Sequence, residues 1–433
     1  MTKALVLISL NELNFDIVKK YLINEKLKNL KEISDNIYET ECNEEYKYLE
    51  PWIQWPTIYT GKRAEEHKMF RLGDAANYNY ETIFNDIENL GYSVGAVSPM
   101  NVANNLKNPS YFIPDPWTDT NSDQSNNSSL ISKTISYFVK KNSEIKFNIN
   151  FFLKLILIFS THAKIKNYPL YLKMIFTSHK KKWRKALFLD LLLNDIHLKL
   201  FNSKNTKFSN LFLNGVAHVQ HHYLFNSQVL NSKNKNPSWY IANHQDPLED
   251  ALIIYNKILG DYIKNKNINL MVATGLTQIP YDRVKYYYKL RNHETFFHYF
   301  EIYFDKVQEL MSRDFILYFK NEYSAINAKK KIQLIKENSN KHLFGDIELK
   351  GNNLFVSLVY NQEIKNQILH VSNKKQIKLK NFVSFVAIKN GMHSGKGFFY
   401  SNSISDMFKK NNKIKINKIK EFIIETFTNK TKL

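Results

Sequence analysis

The feature that most constrains the fold is a repeated alternation of short apolar runs with longer, helix-like segments. The first apolar run spans residues 3–10 ("KALVLISL") and precedes a helix-like segment at 15–33. The alternation continues through helix-like and apolar segments at 81–91, 92–98, 210–216, 247–265 and 269–275. Short, continuous apolar runs are typical of strands buried in parallel sheets. The pattern predicts an α/β fold with a central, mostly parallel sheet flanked by helices.

Two later features complete the predicted organisation. "FGDIELKGNNLFVSLVY" predicts a hairpin that turns at Gly351, Asn352 and Asn353, and it is followed by a strand at 382–390 and a Gly-rich loop, "GMHSGKGFF". After the polar "NSDQSNNSS", the sequence predicts helices rich in Lys and aromatic residues. We therefore predict three segments: a first part of the α/β domain at 1–120, a basic aromatic helical insertion at 121–205, and the remainder of the domain, with the hairpin and a final His loop, at 206–433.

Composition restricts the partners of the chain. With 43% hydrophobic residues it is globular, and 61 Lys plus Arg against 40 Asp plus Glu leave a net charge of +21. That charge favours nucleic acid, anionic lipid or phosphorylated ligands. A single cysteine, Cys42, excludes an internal disulfide and a Cys-based zinc site.

The location of the protein is predicted from its apolar segments. "ALVLISL" lacks the basic flank and cleavage site of a signal peptide, and the longest apolar run is short for a membrane span and contains Lys154. We expect a cytoplasmic protein, peripheral on the inner membrane face, with residues 147–185 touching an anionic surface. Within them, "KKKWRK" at 180–185 is either a solvated helix end or a membrane- or polyanion-binding patch.

The segment "NGVAHVQHHYLFN" carries a cluster of histidines directly after an apolar run. It places His218, His221 and His222 within five positions. Ligands of open α/β sheets bind beyond the carboxyl ends of the strands. We therefore expect this cluster to form a loop that shares one crevice with the polar loops after the other strands, Asn11/Glu12 and Thr274/Gly275.

The order of these motifs resembles the alkaline phosphatase superfamily, especially its type I phosphodiesterase and phosphoglycerate-mutase-like branches. The resemblance rests on "LISLNEL", "WIQWPTIYTGKRAEEHKMF", "LFLNGVAHVQHHY", "INLMVATGLTQ" and "NGMHSGKGFF". It implies an alkaline phosphatase-like fold, phosphoester chemistry and a site in which carboxylates and histidines hold two divalent cations. In this chain His221 and His393 match the family's ligands.

The other family positions are replaced. Asn11 stands where the first-strand Asp is expected, Pro51 at the nucleophile position and Ala217 at a ligand Asp. Thr274 and Gly275 take the place of the Asp-His pair. A standard two-metal phosphatase is therefore not expected.

A rebuilt site is one hypothesis that remains. In it Glu12, His221 and His393 hold one divalent metal, for which the donor types suit zinc, manganese or iron, or the same site does acid/base work without a metal. His218 or His222 transfers a proton and Glu50 supplies charge, with Thr57 as an alternative nucleophile. The predicted substrate-binding residues are Asn11, Gln54, Trp55, Gln220, Lys62 and Lys396.

The predicted function follows from that site and from the resemblance. It is a hydrolase or transferase acting on a phosphorylated carbohydrate or lipid-linked glycan intermediate, in bacterial surface-polysaccharide synthesis. The alternative is a catalytically inactive protein of this fold that binds a phosphorylated glycan or acts as a scaffold. A third hypothesis, a polyanion or nucleic-acid binder, is disfavoured because the sequence contains no recognised nucleic-acid module.

Overall fold

The computed structural model describes residues 3–23, 25–42, 45–140, 149–310, 313–370, 376–403 and 413–428. The chain divides into two compact units. The first comprises residues 1–232, 244–280 and 391–433, and the second comprises 233–243 and 281–390. The sequence did not predict this division, and the predicted boundaries at 120 and 205 remain a prediction.

The described residues form strands and helices whose bounds are as follows. The strands are β1 Ala4–Leu10, β2 Tyr38–Glu41, β3 Val94–Val97, β4 Tyr111–Ile113, β5 Phe208–Leu213, β6 Ile268–Ala273, β7 Thr277–Leu290, β8 Lys306–Glu309, β9 Asp314–Tyr318, β10 Phe344–Lys350, β11 Asn353–Leu358, β12 Ile368–His370, β13 Gln376–Lys378, β14 Val383–Ser394, β15 Lys396–Ser401 and β16 Lys413–Lys415. The helices are α1 Phe15–Tyr21, α2 Lys28–Asp35, α3 Pro51–Thr60, α4 Ala64–His67, α5 Ile83–Asn89, α6 Asn126–Lys140, α7 Ile149–His162, α8 Tyr168–Thr177, α9 Arg184–Lys204, α10 Gly215–Tyr223, α11 Pro247–Ile263, α12 His293–His298, α13 Glu322–Gln333 and α14 Ile419–Thr428. Among them, no helix has both the length and the apolar content that crossing a bilayer requires.

The first unit is built on an eight-stranded sheet of order β16-β2-β15-β6-β1-β5-β3-β4. The central strand β1 pairs in parallel with β5 on one side and with β6 on the other. β3 continues the parallel part beside β5, whereas β15 runs antiparallel to β6. The predicted α/β class with a mostly parallel central sheet is thus confirmed, and every residue of β5 and β6 is buried.

The second unit contains the predicted hairpin. β10 and β11 pair antiparallel and belong to a four-stranded sheet of order β10-β11-β9-β8. Gly351 turns the chain between them with φ +59°, a left-handed conformation that glycine adopts without steric cost. Helices α12 and α13 belong to the same unit.

Two segments predicted as loops are regular structure instead. The histidine cluster lies on helix α10, which begins two residues after β5 ends. The Gly-rich segment forms the end of β14 and most of β15, two consecutive strands that belong to different sheets. In β15, a Cβ on Gly397 would lie 2.0 Å from the Gly275 carbonyl oxygen, so glycine permits this strand to approach the end of β6 closely.

A buried carboxylate on α9 explains why α10 starts where it does. Asp190 accepts hydrogen bonds from the backbone N–H of Gly215 (2.7 Å) and Asn214 (3.3 Å), and from the Tyr255 hydroxyl. The Tyr255 oxygen in turn accepts from the N–H of Val216 (3.0 Å). These contacts satisfy N–H groups that the first turn of a helix leaves without intrahelical partners, and they place negative charge at its positive end. Burial raises the pKa of Asp190 to about 6, although its hydrogen bonds act in the opposite direction.

Helix α9 carries a buried polar face. Asp190, Asn194 and His197 are each at most 2% exposed. His197 contacts the Ser209 hydroxyl through Nε2 (2.7 Å) and the Tyr262 hydroxyl through Nδ1 (2.8 Å). The helix is therefore fixed to β5 and α11 by polar contacts within the core.

The Asp190 contacts predict a large loss of stability on truncation. Asp190→Ala removes the acceptor of three buried donors, and we expect the free energy of unfolding to fall by about 3 kcal/mol. Urea denaturation measures this change. The exposed Asp35→Ala is the matched control and should stay within about 0.5 kcal/mol of the wild type. Equal stability of the two variants would contradict the anchoring role of Asp190.

Candidate metal centre

Glu12 stands at the carboxyl end of the central strand, where the two neighbouring strands also end. The backbone N–H of Asn11 donates to the Leu213 carbonyl at the end of β5 (3.0 Å). The N–H of Glu12 donates to the Thr274 carbonyl just after β6 (3.0 Å). Glu12 adopts φ +59°, a conformation that costs a non-glycine residue energy and is over-represented at functional sites.

The carboxylate of Glu12 is buried between two histidines. It is 1% exposed, and its Oε2 lies 3.0 Å from His221 Nε2 and 3.6 Å from His393 Nε2. Burial acts to raise the pKa of Glu12, but the positive charges of His221 and His393 outweigh it and hold the pKa well below its usual value. The sheet thus carries an ionised carboxylate at the end of its central strand.

The three side chains, which we call the Glu12 cluster, have the donor set of a metal site. One ligand atom from each of Glu12, His221 and His393 lies within 4.8 Å of the others. Two imidazole nitrogens and a carboxylate oxygen suit zinc, manganese or iron, and leave coordination positions for solvent or substrate. The residues present therefore fit one divalent ion, and no second such group occurs in the described ranges.

The positions that would complete a two-metal site have no ligand chemistry of that kind. Ala217 carries a methyl group, and Gly275 has no side chain. The Thr274 hydroxyl accepts a hydrogen bond from the N–H of Phe398 (2.9 Å) and is fully buried. These three residues supply no carboxylate and no imidazole to a second cation.

A further layer of side chains orients the cluster. His393 directs its other nitrogen, Nδ1, at Glu50 Oε2 (3.4 Å), and Glu50 precedes the first residue of α3. Asn11 Nδ2 donates to Glu12 Oε1 (3.2 Å), and the Trp55 indole N–H donates to Asn11 Oδ1 (2.7 Å). A carboxylate on the far nitrogen of a ligating histidine is the usual means of fixing its tautomer and raising its basicity.

Gln220 and Gln278 hold Glu12 from two sides. Gln220 Nε2 donates to the Glu12 carbonyl (2.7 Å), and Gln278 Nε2 donates to the Glu12 carboxylate. Gln278 was not predicted as a site residue, although it is a polar residue in "TGLTQ", just beyond the end of β6. A Cβ on Gly391 would lie 1.9 Å from Gln278 Oε1, so any other residue at this position would displace the amide.

The two remaining histidines of α10 lie beside the cluster. The rings of His218 and His222, one helical turn apart, have centroids 4.8 Å from each other, and those of His221 and His222 are 6.0 Å apart. His218 is exposed and His222 is half-buried. Their proton-transfer role stays a prediction.

Thr57 is held by structural hydrogen bonds. Its hydroxyl donates to the Ile53 carbonyl (3.0 Å) and contacts His67 Nε2 (3.0 Å). Because the N–H of Met69 donates to His67 Nδ1 (3.0 Å), the ring proton resides on Nε2 and is donated to Thr57. Burial lowers the pKa of His67 to about 4, so the ring is neutral. His67 therefore acts as a donor to Thr57 and not as a base that would activate it.

The remaining predicted substrate-binding residues have the following contacts. Trp55 is fully buried in the core, where its indole supports Asn11, and Gln54 donates to the Tyr48 carbonyl (2.6 Å). Lys62 lies over the Tyr80 ring at 4.7 Å. Lys396 forms an ion pair with Asp16 (2.7 Å) and another with Glu39. Their contact with a substrate stays a prediction.

Comparison with known proteins finds similarity in solved structures alone. No family model and no curated protein sequence matches the chain. Murine ectonucleotide pyrophosphatase/phosphodiesterase 5 matches with a TM-score of 0.43 and 11% identity, over 99% of this chain and 95% of that one. Phosphonoacetate hydrolase from Sinorhizobium meliloti 1021, in complex with phosphonoformate, matches at 0.42 and 8%, over 98% and 96%. The alkaline phosphatase of the Antarctic bacterium TAB5 matches at 0.42 and 9%, over 99% of both chains.

The three proteins are members of the alkaline phosphatase superfamily, but TM-scores of 0.42–0.43 and identities near one residue in ten carry neither a family nor an activity to this chain. The chemistry of this site therefore depends on the contacts of its own residues.

The Glu50–His393 contact predicts a graded effect on metal affinity. Glu50→Gln leaves the three ligands in place but removes the charge behind His393, so we expect zinc to bind about 10- to 100-fold more weakly. Competition titration against a chromophoric chelator measures the dissociation constant. The exposed Glu45→Gln should bind like the wild type, and equal affinity in Glu50→Gln would show that Glu50 does not act through His393.

Proposed function

We propose that this protein is a metal-dependent hydrolase or transferase acting on a phosphorylated carbohydrate or lipid-linked glycan intermediate. The observation that carries the proposal is the Glu12 cluster: three ligand atoms within 4.8 Å, at the carboxyl ends of parallel strands. Substrates of open α/β folds bind at that edge. A buried carboxylate beside two histidines destabilises the folded state unless an opposite charge or a bound ligand compensates for it.

A divalent ion at this position would polarise a phosphoryl oxygen and neutralise charge that develops in the transition state. Glu12 would supply the negative charge that offsets the ion, and His221 and His393 would each give up a proton and supply a neutral nitrogen. Glu50 keeps the His393 ring in one orientation. His222, half-buried on the same turn of α10 as His221, is placed to accept or return a proton next to the reacting group.

The substrate class is supported by charge and by the order of motifs. A chain with a net charge of +21 attracts anions over distances comparable to the Debye length. The resemblance of the motifs supports phosphoester chemistry. The glycan component and its place in bacterial surface-polysaccharide synthesis rest on analogy alone, and the cytoplasmic location belongs to the same proposal.

The competing function is a catalytically inactive protein that binds a phosphorylated glycan or serves as a scaffold. Pro51 at the expected nucleophile position and the structural hydrogen bonds of Thr57 favour it. The third possibility, polyanion binding, is supported by the net charge alone.

Metal analysis with ligand variants tests the proposal. The wild-type protein, purified without chelators, should contain close to one divalent ion per chain by mass spectrometry. Glu12→Gln, His221→Ala and His393→Ala should each lose most of it. Hydrolysis of p-nitrophenyl phosphate and its bis-ester should fall at least about 100-fold in each variant, since a ligand is lost.

The exposed His244→Ala is the matched control and should keep both metal and activity. Metal that stays bound in His221→Ala and His393→Ala, or a wild type without metal and with unchanged turnover in the variants, would refute the proposed site. One bound metal together with tight binding of phosphorylated sugars and no turnover would favour the inactive binding protein.

A further inference from the structure

Helices α7 and α8 present an apolar face to solvent. Five outward-facing residues of α7 follow the spacing i, i+3, i+4, i+7 and i+8 of one helical stripe, and three more follow it on α8. They are Ile149, Phe152, Leu153, Ile156 and Leu157 on α7, and Leu172, Ile175 and Phe176 on α8. Ile156 is 62% exposed and Phe176 is 70% exposed. Exposed stripes of large apolar side chains mark interaction sites.

Both helices are attached to the first unit, and at the end of α7 His162 Nε2 contacts the Asn127 amide of α6 (3.2 Å). The Tyr171 hydroxyl on α8 and the Asn167 amide both donate to the buried Asp195 carboxylate on α9 (2.9 Å each). Lys164 donates to Asp261 on α11 (2.8 Å). The outward direction of the apolar face is therefore fixed by buried polar contacts on the other side.

The charge of this segment selects among possible partners. The described residues 149–185 contain eight lysines and Arg184 and no Asp or Glu. Arg184 is buried and paired with Asp250 through Nε (2.7 Å), and the buried Trp183 donates to the same carboxylate, so "KKKWRK" is partly structural. Lys154, Lys173, Lys180 and Lys182 remain exposed.

We infer that α7 and α8 dock on an anionic lipid bilayer. Exposed Ile, Leu and Phe at helical spacing enter the boundary between headgroups and acyl chains, while the flanking lysines contact anionic headgroups. A second copy of the chain would bring an equally basic face, and its like charges oppose such pairing. Nucleic acid would leave the aliphatic side chains without a complementary surface. This docking does not depend on the chemistry at the Glu12 cluster.

Flotation with lipid vesicles tests the inference on the full chain. The wild type should float with vesicles of phosphatidylcholine mixed with phosphatidylglycerol, and weakly with phosphatidylcholine alone. Ile156→Gln combined with Phe176→Gln should lower the partition coefficient at least about tenfold. The equally exposed Leu334→Gln in the second unit is the control and should change nothing.

Charge variants separate the two contributions. Gln in place of Lys173, Lys180 and Lys182 should reduce partition into the anionic vesicles by about fivefold per lysine, and high salt should mimic the effect. The inference is overturned if the wild type floats with neither kind of vesicle. It is also overturned if the Ile156/Phe176 variant floats like the wild type. A wild-type dimer in sedimentation velocity that this variant dissociates overturns it as well, because a second copy would then cover the face.

Discussion

The structure of the site depends on one buried ionised carboxylate. Glu12 has 1% of its surface exposed, and a charge removed from water to that extent destabilises a protein unless opposite charge and hydrogen bonds compensate. His221 and His393 provide the charge, while Asn11 and Gln278 provide donors. The same carboxylate oxygen and two imidazole nitrogens could hold a divalent cation in place of the histidine protons.

The sheet explains how distant segments meet at Glu12. Parallel pairing of β1 with β5 and β6 brings their carboxyl ends side by side, and α10 begins directly beyond β5. The end of β14 brings His393 to the same place from the C-terminal part of the chain. Asp190 sets the start of α10, and it thereby also sets the position of His221.

Much of this could be predicted from the sequence. Continuous apolar runs located β1, β5 and β6, and polar residues following them identified Glu12 and the histidines. The Gly-rich segment and the histidine cluster were predicted as loops, because the Asp190 cap lies 25 residues before Gly215 and the close approach of Gly397 to Gly275 is a tertiary contact. Gln278 was not predicted for the same reason. Its hydrogen bond to Glu12 depends on the space that Gly391 leaves free, and no local sequence pattern indicates that contact.

Anomalous diffraction from crystals grown with zinc tests the central claim most directly, since it locates the ion independently of activity. We predict one strong peak at about 2.0–2.2 Å from a Glu12 oxygen and from a ring nitrogen of both His221 and His393. A second peak toward Thr274 is not expected. Zinc bound elsewhere, or a Glu12 cluster with both histidines still on the carboxylate at saturating zinc, would contradict the account.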